Sequence, residues 1–202
     1  MKKLISLILT FALLCGVIPA FAEEETPAHV LVVYFSHAGE NYGVGVIEEG
    51  NTAKMGKIIA EQLEADIFEL VPVVPYPGDY DSCLDVATEE QRTAARPEYE
   101  EEIENWEQYD TVFIGYPIWW GNIPNIVYTF MEAYDFAGKT VIPFNTHEGS
   151  GQARSQKDIE DVMPEEATVL KGLAVRGSKA QNDAEGTGED VAAWLKEIGL
   201  AE

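Results

Sequence analysis

Three apolar runs in this chain each end in a loop of small residues. VLVVYFS leads into HAG and later GNT, TVFIGY into PIWWGN, and TVIPFN into THEGSG. Runs of this length and composition read as buried strands, and small-residue loops at the carboxyl ends of successive strands describe a ligand crevice in an open α/β sheet. The rest of the chain keeps the alternation. Residues 30–35 read as the first strand, and Met55, Ile58, Ile59 and Leu63 share one face of a helix beginning near Ala53. A second strand is expected over 67–71 and a helix over 81–95, ended by Pro97. Strands over 112–116, 141–145 and 168–175 follow, interleaved with helices over 126–134 and 158–163; Val191, Trp194, Leu195 and Ile198 mark a final helix. The pattern predicts an α/β fold, a doubly wound five-stranded parallel sheet covered on both faces.

The first 22 residues are set apart from this domain. Lys2 and Lys3 precede an apolar run that closes on Pro19, Ala20, Phe21 and Ala22, which reads as a signal peptide with an A-x-A cleavage site. The expectation is export to the periplasm, cell envelope or medium, with Glu23 as the new amino terminus and 23–202 as one domain. The run is short for a membrane span and Leu14 precedes Cys15 where a lipoprotein site wants a small residue, so no stable membrane anchor is expected. The chain holds 13 Lys and Arg against 36 Asp and Glu, a net charge of −23; losing Lys2 and Lys3 takes it to −25. Such a field repels nucleic acid and anionic lipid and favours a partner that is basic at its contact, although acidity also simply keeps an exported protein soluble. Only Cys83 would survive cleavage, which excludes an intrachain disulfide and leaves Cys83 as a packing residue on a helix.

The chemistry sits in the loops. Ser36 follows the first strand, and Gly50, Asn51 and Thr52 come just before a helix, whose unpaired N–H groups suit a phosphate monoester; the same residues also make an ordinary helix cap. There is no G-K-[ST] here and no G-x-G-x-x-G opening the helix, which disfavours a nucleotide-hydrolysing P-loop and a Rossmann dinucleotide site. In PIWWGNIP one tryptophan is assigned to a planar ring and the other to the core, with Gly121 and Asn122 offering backbone and amide groups. The glycines of the 146–151 loop let its backbone pass close to a second edge. His147 and Glu148 suggest acid or base work, but no nucleophile is placed to use them and no G-x-S-x-G elbow occurs.

These residues carry a resemblance. YFSHAGENYGVGVIEEGNTAKMGKIIAEQLEADIFEL is similar to the phosphate-loop segment of the flavodoxin-like family, and VPYPGDYDSCLDVATEEQRTAARPE, YDTVFIGYPIWWGNIP, YDFAGKTVIPFNTHEGSG and VLKGLAVRG resemble its later blocks, in order. The resemblance, to exported bacterial members, implies strand order 2-1-3-4-5 with FMN at the switch point between the first and third strands; flavodoxin is itself the type case of that rule. Carried over, Ser36, His37, Ala38, Asn51 and Thr52 would hold the phosphate, although many relatives carry hydroxyl residues where His37 and Ala38 stand. Pro117, Ile118, Trp119, Trp120, Gly121 and Asn122 would flank the ring and ribityl chain, and Thr146, His147, Glu148, Gly149, Ser150 and Gly151 would close the far edge. The inserted ENYGVGVIEEG reads as a surface loop, or else Tyr42 folds over the cofactor. The implied function is electron transfer through bound FMN to a redox partner protein. An FMN-dependent NAD(P)H-quinone reductase, or a non-redox module that keeps the fold, are the alternatives.

Overall fold

A computed structural model describes residues 29–201; the expected signal peptide and its cleavage site lie outside them. In chain order the elements are β1 (Val30–Tyr34), β2 (Gly39–Asn41), β3 (Gly45–Ile47), α1 (Asn51–Leu63), β4 (Asp66–Glu69), α2 (Tyr80–Thr93), a 3₁₀ turn at Trp106–Gln108, β5 (Thr111–Pro117), α3 (Asn125–Ala133), β6 (Thr140–His147), α4 (Ser155–Val162), β7 (Thr168–Val169), β8 (Leu173–Arg176), α5 (Gly177–Asn182) and α6 (Ala184–Glu197).

The main sheet runs β4-β1-β5-β6-β7, with β8 also on β6, and every pairing in it is parallel. This is the expected 2-1-3-4-5 order. The apolar runs of β1, β5 and β6 are continuous because both sheet faces are covered. Ile126, Phe130 and Ile159 from α3 and α4 pack on one face with Trp106, and Met55, Ile59, Val191 and Leu195 from α1 and α6 pack on the other. Each such fully buried side chain contributes about 1.5–3 kcal/mol. Gly115 in β5 is needed for this packing, since a Cβ there would overlap the Phe144 ring.

The fifth strand departs from the continuous 168–175 segment that the sequence suggests. It is split into β7 and β8, and Pro143 explains the break. Val141 turns its carbonyl toward this strand, accepting the Leu170 N–H at 2.9 Å, so Pro143, two residues on, faces the same side and has no N–H to donate. The Gln156 side chain fills the gap: its Oε1 accepts the Gly172 N–H at 3.0 Å and its Nε2 donates to the Leu170 carbonyl at 3.1 Å. The loops after β1 and β5 diverge at the switch point and leave a crevice over the carboxyl ends of the strands.

Candidate functional site

The amino end of α1 is built by two segments that meet. Gly50 is the cap residue but has no side chain to cap with; instead Ser36 Oγ, at the end of β1, accepts the Ala53 N–H at 3.0 Å. A Cβ at Gly50 would overlap Ser36 Oγ and lie 2.7 Å from the His37 carbonyl oxygen, so only glycine allows this approach. The N–H groups of Asn51 and Thr52 have no partner among the described residues, and the first turn of α1 holds no acidic residue. That leaves a helix terminus with open donors and positive potential. Asn51 is 9% exposed and its side-chain Oδ1 is buried without a partner. The buried hydroxyls of Thr52 and Thr146 lie 2.8 Å apart and tie the first loop to the third.

The second loop is a tight turn. The Trp119 N–H donates to the Asn122 carbonyl at 3.0 Å and the Asn122 N–H donates back at 2.9 Å; Trp120 and Gly121 between them have φ of 51° and 74°. Two positive φ values make this a type I′ turn, in which a tryptophan is an unusual and strained occupant. Trp119 turns inward, edge-on to Phe35 and Tyr76 with centroids 5.3 and 5.0 Å away. Trp120 is 61% exposed, with its indole N–H toward the Leu84 carbonyl.

In the third loop His147 Nδ1 accepts the N–H groups of Gly149 at 2.9 Å and Gly151 at 3.1 Å. Burial and the Arg176 charge hold the imidazole below the usual histidine range, against the opposing pull of Glu148. Glu148 anchors the loop to the start of α5, accepting the Ser178 N–H at 2.6 Å and its hydroxyl at 3.2 Å. In the first loop His37 Nε2 donates to the Pro77 carbonyl at 2.9 Å, and burial lowers its pKa too.

Together these loops wall a cleft of about 810 Å³ including its open mouth. Of the residues expected from sequence, His37, Asn51, Pro117, Ile118, Trp119, Trp120, Thr146, His147 and Glu148 line it. The others stand behind or beside it. Ser36 and Thr52 are engaged with Ala53 and Thr146, Ala38 is exposed, Gly121 and Asn122 complete the turn, and Gly149, Ser150 and Gly151 belong to the loop gathered around His147. Two walls go beyond the main sequence reading. One comes from the 40–50 insert, where β2 and β3 form an antiparallel hairpin rather than a surface loop; it puts Tyr42 on the cleft, in line with the alternative reading of the insert, together with Glu40 and Asn41, which the sequence did not single out. The hairpin is seated by Gly39, whose Cβ would lie 2.6 Å from the Gly78 carbonyl oxygen, and by the Glu40 N–H donating to that oxygen at 2.7 Å. The other wall is the face of α2 bearing Tyr80, Cys83, Leu84 and Ala87, whose helical spacing is indistinguishable in sequence from core packing. Tyr80 lies 6.2 Å from Tyr42, centroid to centroid. Cys83 is buried on its helix as expected, with its thiol pushed up to about 11, first by burial and then by the charges of Glu90 and Asp79.

Residues 29–198 match the flavodoxin family. The chain belongs to that family. FMN is the cofactor of flavodoxins. A candidate flavoprotein from Bacteroides uniformis is 30% identical, with a TM-score of 0.64 over 85% of this chain and 99% of that one. Another from Bacteroides eggerthii is 29% identical, with a TM-score of 0.67 over 85% and 98%. A flavoprotein from Lactobacillus acidophilus in complex with FMN has the same fold at 20% identity, with a TM-score of 0.58 over 76% and 97%. A search of curated proteins returns no match. The cleft of this flavodoxin fits FMN chemically: two open N–H groups suit a phosphate, the orphaned Asn51 oxygen suits a ligand hydroxyl, and Trp120 offers an aromatic face.

Proposed function

We propose that this flavodoxin holds FMN in the cleft between the Trp120 turn, the hairpin and α2, and passes electrons to a protein partner that is basic at its contact. The observation that carries the reading is the amino end of α1: open N–H groups and no acidic residue in its first turn, in a chain with 36 acidic residues. Bound FMN supplies the one- and two-electron chemistry. The protein's part is to bind, orient and exclude water. The Asn51 and Thr52 N–H groups meet the phosphate, Trp120 and Tyr42 cover ring surface, and the His147 loop closes an edge. Cys83 stays protonated near neutral pH and serves no nucleophilic role.

Glu40 and Glu148 line the same cleft, and their charge opposes added negative charge on the ring, which favours a low reduction potential. The same field disfavours NADPH as direct donor, and Lys2 and Lys3 ahead of an apolar run that closes on Ala20-Phe21-Ala22 support the reading that the domain is exported. Anaerobic spectroelectrochemistry of the FMN-loaded protein tests this, with a midpoint below that of free FMN expected. A midpoint at or above it overturns the low-potential reading, and sustained NADPH oxidation with a quinone acceptor assigns the protein to the reductases instead.

A further inference from the structure

His147 makes an unusual commitment of its ring. A histidine nitrogen that accepts hydrogen bonds carries no proton, and Nδ1 here accepts two, from Gly149 and Gly151. In the neutral ring the proton then belongs to Nε2, which has no partner among the described residues although the side chain lines the cleft. We infer that His147 is a positioning residue that joins loop shape to ligand recognition. Its Nδ1 lone pair gathers the 148–151 backbone, and the tautomer this enforces leaves Nε2–H as a donor for a hydrogen-bond acceptor, a carbonyl or ring nitrogen, on the edge of a planar ligand. The inference rests on the reading that the cleft takes FMN and goes beyond it by assigning which atom of this loop donates.

The same geometry sets a pH dependence. A second proton would occupy the Nδ1 lone pair and turn an acceptor for two N–H groups into a competing donor, so the gathered loop requires the neutral ring. Facing His147, Arg176 on β8 reinforces neutrality and Glu148 in the loop opposes it. The gathered loop is therefore complete above the pKa of His147 and is released as pH falls through it.

Two experiments test the inference. A long-range ¹H–¹⁵N correlation spectrum of the ligand-free protein near pH 8, with the His147 signals assigned by their loss in His147→Gln, reads the tautomer whether or not FMN binds. The Nε2–H tautomer is expected, and Nδ1–H overturns the inference. Second, FMN is titrated at pH 8 and pH 5.5 into wild type and His147→Asn, whose amide oxygen stands in for Nδ1 but whose side chain cannot reach as far as Nε2. His147→Asn is expected to bind about tenfold more weakly at pH 8 and to lose less affinity than wild type on acidification. Titration of the FMN phosphate is common to both proteins and cancels in the comparison. Equal affinities and equal pH responses overturn the role of His147; failure of wild type to bind FMN at either pH overturns the cofactor reading and leaves the tautomer result standing.

Discussion

The hydroxyls of Thr52 and Thr146 lie 2.8 Å apart in the interior, one at the start of α1 and the other near the end of β6. The loops that follow β1 and β6, the two strands flanking β5, are thereby tied together. Replacing Thr146 with Val keeps the shape but leaves the Thr52 hydroxyl buried and unpaired, which costs about 1–3 kcal/mol. Urea unfolding should show that loss, with weaker FMN binding alongside it.

Gly50 is the closest approach in the site. Gly50→Ala drives a methyl group into Ser36 Oγ and the His37 backbone, and overpacking of this kind costs about 1–3 kcal/mol. Because the displaced atoms are those that shape the amino end of α1, FMN affinity should fall more than stability does. Gly78→Ala, where nothing lies within 4 Å of the added Cβ, serves as the control and should be close to neutral in both assays.

Trp120 is held at φ 51° while 61% exposed, so its side chain contributes little packing for the strain it imposes. Trp120→Gly should therefore leave stability unchanged or raise it by up to about 1 kcal/mol, since glycine adopts positive φ freely. Flavin fluorescence should at the same time be less quenched and affinity lower. A variant that loses stability and keeps affinity would mean the indole packs rather than binds.

Cys83 reports on the cleft from within. With its thiol raised to about 11, reaction with a disulfide reagent at pH 8 should be about a hundredfold slower than for an ordinary cysteine. Saturating FMN should slow it further, because Cys83 lines the cleft, and urea should restore the ordinary rate.

The sequence made the central strands legible because β1, β5 and β6 are buried on both faces and their apolar runs are unbroken. The same runs located the three loops. What escaped was set by contacts distant in sequence. The break in the fifth strand depends on Pro143 in the strand beside it, and nothing within 168–175 announces it. The hairpin of β2 and β3 has three-residue strands with little apolar alternation, and it is seated by Gly78, which is remote in the chain. Asn51 and Thr52 suggested a cap of their own, whereas the capping hydroxyl comes from Ser36 and the cap residue is Gly50. The division between the tryptophans follows from the type I′ turn, whose left-handed residue in sequence would be expected to be Asn or Gly rather than Trp120.

The most direct measurement is a titration of FMN into the protein, followed by flavin absorption and fluorescence. The account predicts saturable binding at one FMN per chain, with quenched flavin emission that recovers in part in Trp120→Gly. Flavin emission that stays unquenched at protein concentrations well above micromolar would contradict it.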